Sequence, residues 1–324
     1  LPRTHDLHIT ALPPPAARRA GRIAALLRLL HAVRHPRPGT AAIGPGRMAM
    51  HFLRCLPHLD TFRDWLGNPA NPALREEIAA RPYLLTCVVH PYLNSEWPAQ
   101  RKLAVIAAHY AMLGGQRAVL RGTPPRLLAD AGDGLRIELD LPGKFEHEGE
   151  ATLHLRRGEQ DLYALAFTLG DIAGQRVAYI GALQGLRSPD ALETYRQLTH
   201  QLHGLRPRDL LLTAFRRFGL ALEVTRILAV DDRHRVSSNG YFAASAQVLS
   251  SYDEIWTESG GIATSGGFFE FGPVTGRREH SAVPARKRAL YRRRYEMLDA
   301  LDGQIDAAVA ADMAYREMAS PFGD

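Results

Sequence analysis

From Leu135 onward the apolar residues of this chain fall on every second position, and that change of period constrains its fold more than any other feature. Leu135, Ile137, Leu139 and Leu141 alternate with Arg136, Glu138 and Asp140, the pattern of a strand with one face buried and one in water. Leu153 and Leu155 alternate with His154 and Arg156 in the same way. Residues 162–169 and 177–182 are apolar on both faces, as strands in the middle of a covered sheet must be. The short links at 157–161 and 170–175 predict an antiparallel meander.

Before the meander the period is helical. Pro13-Pro14-Pro15 leads into a run with Ile23, Leu26, Leu27, Leu30 and Val33 at helical spacing, accompanied by Arg19, Arg22 and Arg28 and ended by Pro36 and Pro38. That is a basic amphipathic helix whose apolar stripe packs on its own domain or lies on a membrane surface. Further helices are predicted at 46–56, 72–81 and 98–113. After the meander come helices at 189–203 and 207–219, a buried strand at 225–230, a short helix at 241–250, strands at 252–258 and 267–272, and a helix from 284 to about 313. The expected organisation is a mostly helical region over 1–125, an α+β domain over 126–283 and a basic C-terminal helix over 284–324.

Hydrophobic residues make up 46% and charged residues 23%, which is ordinary for a globular chain able to bury a core. Two cysteines, Cys55 and Cys87, in so long a chain point to a reducing compartment. A cytoplasmic protein is therefore expected, without an apolar run long enough to cross a bilayer. Because the sequence begins at Leu1 rather than Met, removal of a leader stays open. Residues 1–47 hold eight arginines against Asp6, and 277–294 hold eight Arg/Lys against Glu279. The middle of a chain of net charge +6 must then be acidic. Basic ends of this kind suit an anionic membrane surface, such as the inner face of the envelope, or an acidic protein partner. They equally suit solvated helix faces. Nucleic acid is not expected, because no aromatic-basic recognition module accompanies them.

Gly204-Leu205-Arg206-Pro207-Arg208-Asp209 sets a glycine and two arginines at the mouth of a predicted helix between two buried strands. The first N–H groups of a helix lack intrahelical partners and carry its positive dipole end, so such a mouth suits a phosphate. In the competing arrangement Asp209 caps the helix and both arginines pair with acidic side chains. Glu193, Arg196, His200 and His203 fall roughly along one side of the preceding helix. Tyr252, Glu254, Trp256 and Glu258 alternate along an expected strand and would share a face, as an acceptor pocket or as an exposed strand face. Glu258 borders the flexible run Ser259-Gly260-Gly261 and is a candidate base; His203 is another, because imidazole titrates near neutrality. No metal is expected, since no histidine and carboxylate spacing of a metal site stands out. No nucleophile elbow or Walker loop is present either.

The order of four strands, two helices, strand, helix and two strands resembles the N-acetyltransferase (GNAT) superfamily. The resemblance implies a GNAT-like mixed sheet with flanking helices and an acyl-CoA or acyl carrier protein thioester as donor. It implies that Gln184, Gly204, Leu205, Arg206 and Arg208 hold the donor, although Pro207 and Asp209 depart from the superfamily's small-residue loop. It further implies that Tyr241 protonates the leaving thiolate, while the acidic-basic helix with Glu193 and Arg196, placed before the loop, resembles that of the related acyl-homoserine-lactone synthases and would contact an acceptor. Separately, His90-Pro91-Tyr92-Leu93, His109-Tyr110, the run from Ile180 to Gly185, the run from Thr199 to Arg208, Tyr252-Asp253-Glu254-Ile255-Trp256 and Arg292-Arg293-Arg294-Tyr295 resemble the VirK/YbjX family. Those bacterial proteins are associated with virulence and envelope stress, and the resemblance covers about residues 50 to 302. It supplies no catalytic residues. The expected function is acyl transfer to an amine or hydroxyl acceptor, with a non-enzymatic envelope adaptor as the alternative.

Overall fold

Backbone hydrogen bonding sorts the chain as its periodicity suggests, into a helical unit followed by one built on a sheet. The computed structural model describes residues 15–35, 44–113, 125–141, 145, 147–238, 251–274 and 276–319. The chain divides into two units between Val89 and His90.

The first unit contains α1 (Pro15–Arg34), α2 (Pro45–Cys55), α3 (Leu59–Gly67), α4 (Pro72–Ala80) and a 3-10 stretch over Pro82–Val89. Asn71 caps α4, its side chain accepting from the Leu74 N–H at 3.2 Å, with Pro72 in the first turn where a missing donor costs nothing. The buried face of α1 is formed by Ala25, Leu29, Ala32 and Val33. This corrects the predicted stripe: Ile23 and Leu27 are 54% and 61% exposed. The two alanines beside Leu29 let α1 approach α3 and the 3-10 stretch, and close approach decides the face where larger residues on the other side do not.

The second unit contains α5 (Ala99–Leu113), β1 (Arg126–Gly132), β2 (Leu135–Asp140), β3 (Ala151–Arg157), β4 (Gln160–Ile172), β5 (Gln175–Gly185), α6 (Ala191–Gln201), α7 (Pro207–Ala221), β6 (Arg226–Val230), α8 (Tyr252–Glu258), β7 (Ile262–Ala263), β8 (Phe268–Phe271) and α9 (Arg288–Ala319). The strands form one open sheet in the order β1-β2-β3-β4-β5-β6-β8-β7. Every pairing is antiparallel except β5 with β6. Two hairpins turn on residues with positive φ at both central positions, Asp133-Gly134 and Ala173-Gly174, which matches the right-handed twist of the strands they join.

Alternation along β4 gives the sheet two covered faces. Phe167 meets Phe215 and Phe218 of α7, with ring centroids 5.0 and 5.8 Å away. Thr168, on the other face, bonds the Tyr92 hydroxyl at 2.8 Å. His109 of α5 accepts the Leu169 N–H at 3.1 Å. Trp97, Tyr179 and Phe268 form an aromatic cluster with centroids 5.3 to 5.7 Å apart. At the open edge, Gln304 of α9 bonds both the N–H and the C=O of Asp130 in β1, which caps part of a strand edge that would otherwise be free to pair with another chain.

The predicted strand at 252–258 is a helix. Ser251 caps it by accepting from the Glu254 N–H at 3.2 Å, and Asp253 and Glu254 occupy the first turn, where acidic groups meet the positive dipole end. Tyr252 and Trp256 are four apart, a spacing that fits one face of a helix as well as one face of a strand. Strand β1 adds a fifth member to the meander. The helix expected at 241–250, and with it Tyr241, lies outside the described residues. No helix among the described residues is long and apolar enough to cross a membrane.

Candidate functional site

The parallel pair does not run the length of its strands. β5 and β6 pair from Val177↔Arg226 to Ile180↔Ala229, and pairing stops where β5 bulges against β4. There Ala166 faces Ala182 and Phe167 faces Ile180, leaving Gly181 as the extra residue. Beyond Gly181, β5 continues to Gly185 without a β6 partner while β6 ends at Val230, which leaves a fork at the carboxyl ends of the two strands. In open sheets this is where ligands bind.

Glycine is required at the bulge because another segment crosses it. A Cβ on Gly181 would lie 1.9 Å from the Glu148 carbonyl oxygen, and one on Gly149 would lie 2.5 Å from the Phe167 nitrogen. The crossing chain brings the Glu148 carboxyl to the fork, where Gln184 Nε2 donates to it at 3.1 Å. Burial pushes the Glu148 carboxyl up to about 7, against the opposing pull of Arg187, the Gln184 hydrogen bond and Arg235. A carboxylate poised near neutrality is suited to taking a proton.

Helix α8 straps the fork through two side chains on one face. The Tyr252 hydroxyl accepts from the Leu183 N–H at 2.9 Å and donates to the Leu183 carbonyl at 3.3 Å, so it replaces the strand partner that β5 lacks after its bulge. Trp256 Nε1 donates to the Val230 carbonyl, at the end of β6, at 2.8 Å. Burial and the nearby Glu148 charge raise the Tyr252 phenol, which therefore stays protonated. Asp232 holds the start of α8 by accepting from the Tyr252 N–H and the Ser251 hydroxyl. Burial alone would raise Asp232, but these bonds, the Asp253 N–H and Arg235 bring it below its ordinary value. The Arg235 guanidinium lies over the Tyr252 ring at 5.0 Å from its centroid.

The predicted phosphate loop has a different character. α6 ends at Gln201, and Gly204 N–H returns to the Thr199 carbonyl at 2.7 Å while His203 N–H returns to His200. This is a Schellman closure with His203, φ +53, at the position glycine usually takes. His203 is thus outside the helix expected to carry it beside Glu193, Arg196 and His200. Its carbonyl accepts two bonds from Arg294 of α9. Arg206 bonds Asp209 at 2.8 Å and Glu258 at 2.9 Å, and Arg208 bonds Glu258 at 2.6 Å and Asp209 at 3.1 Å. Arg208 and then Arg206 hold the Glu258 carboxyl below its ordinary range, so it rests as an ion-pair partner.

The other candidates are dispersed. Glu193 is exposed and accepts from Gln197 at 3.1 Å, with Arg196 3.5 Å away. Glu254 is exposed, whereas Tyr252 and Trp256 belong to the core. Leu205 lines a cavity between α7 and α9. The fork therefore unites Gln184 and Tyr252 with two residues that sequence reasoning did not nominate as site residues, Glu148 and Arg235. Glu148 occupies a non-periodic link, where the adjoining Gly149 was the only local hint of a close backbone crossing.

These features define an α+β protein with a large, mostly antiparallel open sheet and a polar fork at the parallel pair of β5 and β6. Residues 46–307 match the family described as protein of unknown function (DUF535), and the chain belongs to that family. It is similar to the uncharacterized protein YbjX of Escherichia coli (strain K12), with 28% identity over 254 residues, 75% of this chain and 77% of that one. A second relative, an uncharacterized protein of Haemophilus influenzae (strain ATCC 51907 / DSM 11121 / KW20 / Rd), is 33% identical over 141 residues, 43% of this chain and 45% of its own. The membrane protein LapB of Mannheimia haemolytica is 26% identical over 179 residues, 52% of this chain and 76% of its own. No solved structure matches. The family resemblance carried by the motifs around Gly204 is thereby borne out.

Proposed function

We propose that this chain transfers an acyl group from a phosphopantetheine thioester, borne by CoA or acyl carrier protein, to an amine or hydroxyl of a small-molecule or peptide acceptor. The observation that carries the reading is the fork beyond Gly181, where burial pushes the Glu148 carboxyl up to about 7 and the buried Tyr252 phenol stays protonated. The strand order, the parallel pairing of β5 with β6 and the two helices between those strands support a GNAT-like fold.

In this reading Glu148 takes a proton from the acceptor, whose lone pair attacks the thioester carbonyl. The carbon–sulfur bond then breaks, and Tyr252, in place of the expected Tyr241, gives its proton to the departing thiolate beside Leu183. Arg206 and Arg208 would take the donor phosphates only by exchanging Asp209 and Glu258 for them, which weakens the donor's hold. The test is thermal stabilisation by CoA, acyl-CoA species and acyl carrier protein thioesters, with Glu148→Gln and Arg206→Ala/Arg208→Ala as controls. A rise with a thioester, and turnover lost in Glu148→Gln, is expected. Absence of binding and turnover with every carrier would overturn the proposal.

A second reading, an adaptor at an anionic membrane surface, is favoured by the first unit. Ile23 and Leu27 on α1 and Met50 and Leu53 on α2 are each at least half exposed, with Arg22, Arg28, Arg47 and Arg54 exposed on the same two helices. The name of the Mannheimia relative, a membrane protein, points the same way. Sedimentation with anionic but not neutral vesicles, weakened by Leu27→Ser/Leu53→Ser, is the expected result. No sedimentation with either vesicle removes this reading.

A further inference from the structure

Arg216, on α7, is 6% exposed, yet no carboxylate pairs with it among the described residues. Its Nη2 donates to the Ser259 carbonyl at 2.6 Å and its guanidinium lies over the Phe271 ring at 4.6 Å. Its Nε is buried without a hydrogen-bond partner. A guanidinium withdrawn from water without a counter-charge is unfavourable, and a chain tolerates it most readily where a bound anion completes the site.

Arg216 lines a cavity of about 380 Å³ between α7, α9 and the residues Pro273, Val274, Gly276, Arg277 and Arg278. Other cations there have partners. Arg217 is bonded to Asp306, Arg277 to Asp299, and Arg294 to the His203 carbonyl. Arg278 is exposed and, like Arg216, has no acidic partner among the described residues. Asp302 lines the same space and faces Arg277 at 3.9 Å, while Arg216, Arg278 and Arg294 have no acidic partner among the described residues, so the lining stays net positive, the complement of a dianion. Leu205, Leu220, Val274 and Leu298 line the same space with Tyr291 and Tyr295, so there is apolar wall and room for more than a bare ion.

From this cavity we infer that the second unit binds a phosphate dianion, free or as an organic monoester, with Arg216 as the buried anchor and Arg278 at the rim. Guanidinium suits the role because its fork of donors matches phosphate oxygens in pairs. The inference does not rest on acyl transfer, and no thioester enters its test.

Calorimetry of the full chain with inorganic phosphate and with phenyl phosphate tests it, on the wild type, Arg216→Met, Arg278→Ala and a surface-charge control, Arg233→Ala. Saturable binding weakened at least about tenfold in Arg216→Met and Arg278→Ala and retained in Arg233→Ala is expected. Tighter binding of phenyl phosphate identifies an organic monoester; equal binding identifies free phosphate. No saturable binding of either probe overturns the inference, as does equal affinity in all four proteins. Should Arg216→Met not fold, Arg278→Ala alone decides, and unchanged affinity there is the overturning result.

Discussion

The mouth of α7 and the fork at the end of β5 are both dense in charge, but they handle it in opposite ways. At the mouth, Arg206 and Arg208 each meet Asp209 and Glu258, and the four side chains balance at the surface. At the fork, the Glu148 carboxyl is drawn out of water and meets an amide rather than a cation at hydrogen-bond distance. A balanced, half-exposed cluster contributes little and moves no proton, whereas a desolvated carboxyl near neutrality can do chemistry. The richer motif in sequence is thus the quieter one in space.

The sharpest way to break this comparison is Gly181→Val. Its side chain has nowhere to go against the Glu148 carbonyl, so unfolding by denaturant should show a loss of more than about 3 kcal/mol. A neutral result would mean that the crossing at the bulge is not fixed.

Next comes the pH dependence of Glu148. Its carboxyl is raised from 4.5 to about 7 in the folded protein, so the folded state binds the proton more tightly than the unfolded one. The resulting stabilisation is complete below about 4.5 and is lost as pH rises through about 7, a change of about 3 kcal/mol at most. Denaturation series from pH 4 to 8, in about unit steps, should show this decline in the wild type and not in Glu148→Gln. Identical slopes would return Glu148 to the class of ordinary surface carboxylates.

Tyr252→Phe removes a hydroxyl that both accepts from and donates to Leu183. With the Leu183 N–H left unsatisfied, a loss of about 1–3 kcal/mol is expected by denaturant unfolding. Amide exchange at Leu183 should quicken at the same time. Protection that survives the substitution would mean that the phenol is not the strap it resembles.

The smallest effect belongs to the mouth of α7. Glu258→Gln should leave the thermal midpoint nearly unchanged, because the Glu258 carboxylate is itself exposed and Asp209 still pairs with both arginines. If donor phosphates do compete with Glu258 for the arginines, the same substitution should tighten CoA binding. Weaker binding in Glu258→Gln would sink that competition.

Some of this was legible in the sequence. Alternation at Leu135 to Leu141, and the doubly apolar 162–169 and 177–182, placed the central strands because period two is a local property of the backbone. The α7 mouth was legible for the same reason, and of the competing arrangement the structure adopts the pairing of both arginines with acids but not the cap, since Arg206 holds the N-cap position and Asp209 is itself one of the paired acids. Strand β1 was missed although Asp133-Gly134 is the turn signal for its hairpin. Tyr252 and Trp256 were placed on a strand because a spacing of four satisfies both periods, and only the Ser251 cap and the acidic first turn break the tie.

What the sequence determined by itself was the kind of element at most positions and the charge at the mouth of α7, both set by neighbours within a few residues. What tertiary structure alone decided was the fork. Glu148, Gly181, Tyr252 and Arg235 come from four separate segments, and their environment arises from a bulge, a crossing chain and a strapping helix. The same holds for Arg216, which reads as one more basic residue of a helix until packing removes its water and leaves it without an acid. Desolvation is a property of the assembled surroundings, so no local pattern of residues could have announced it.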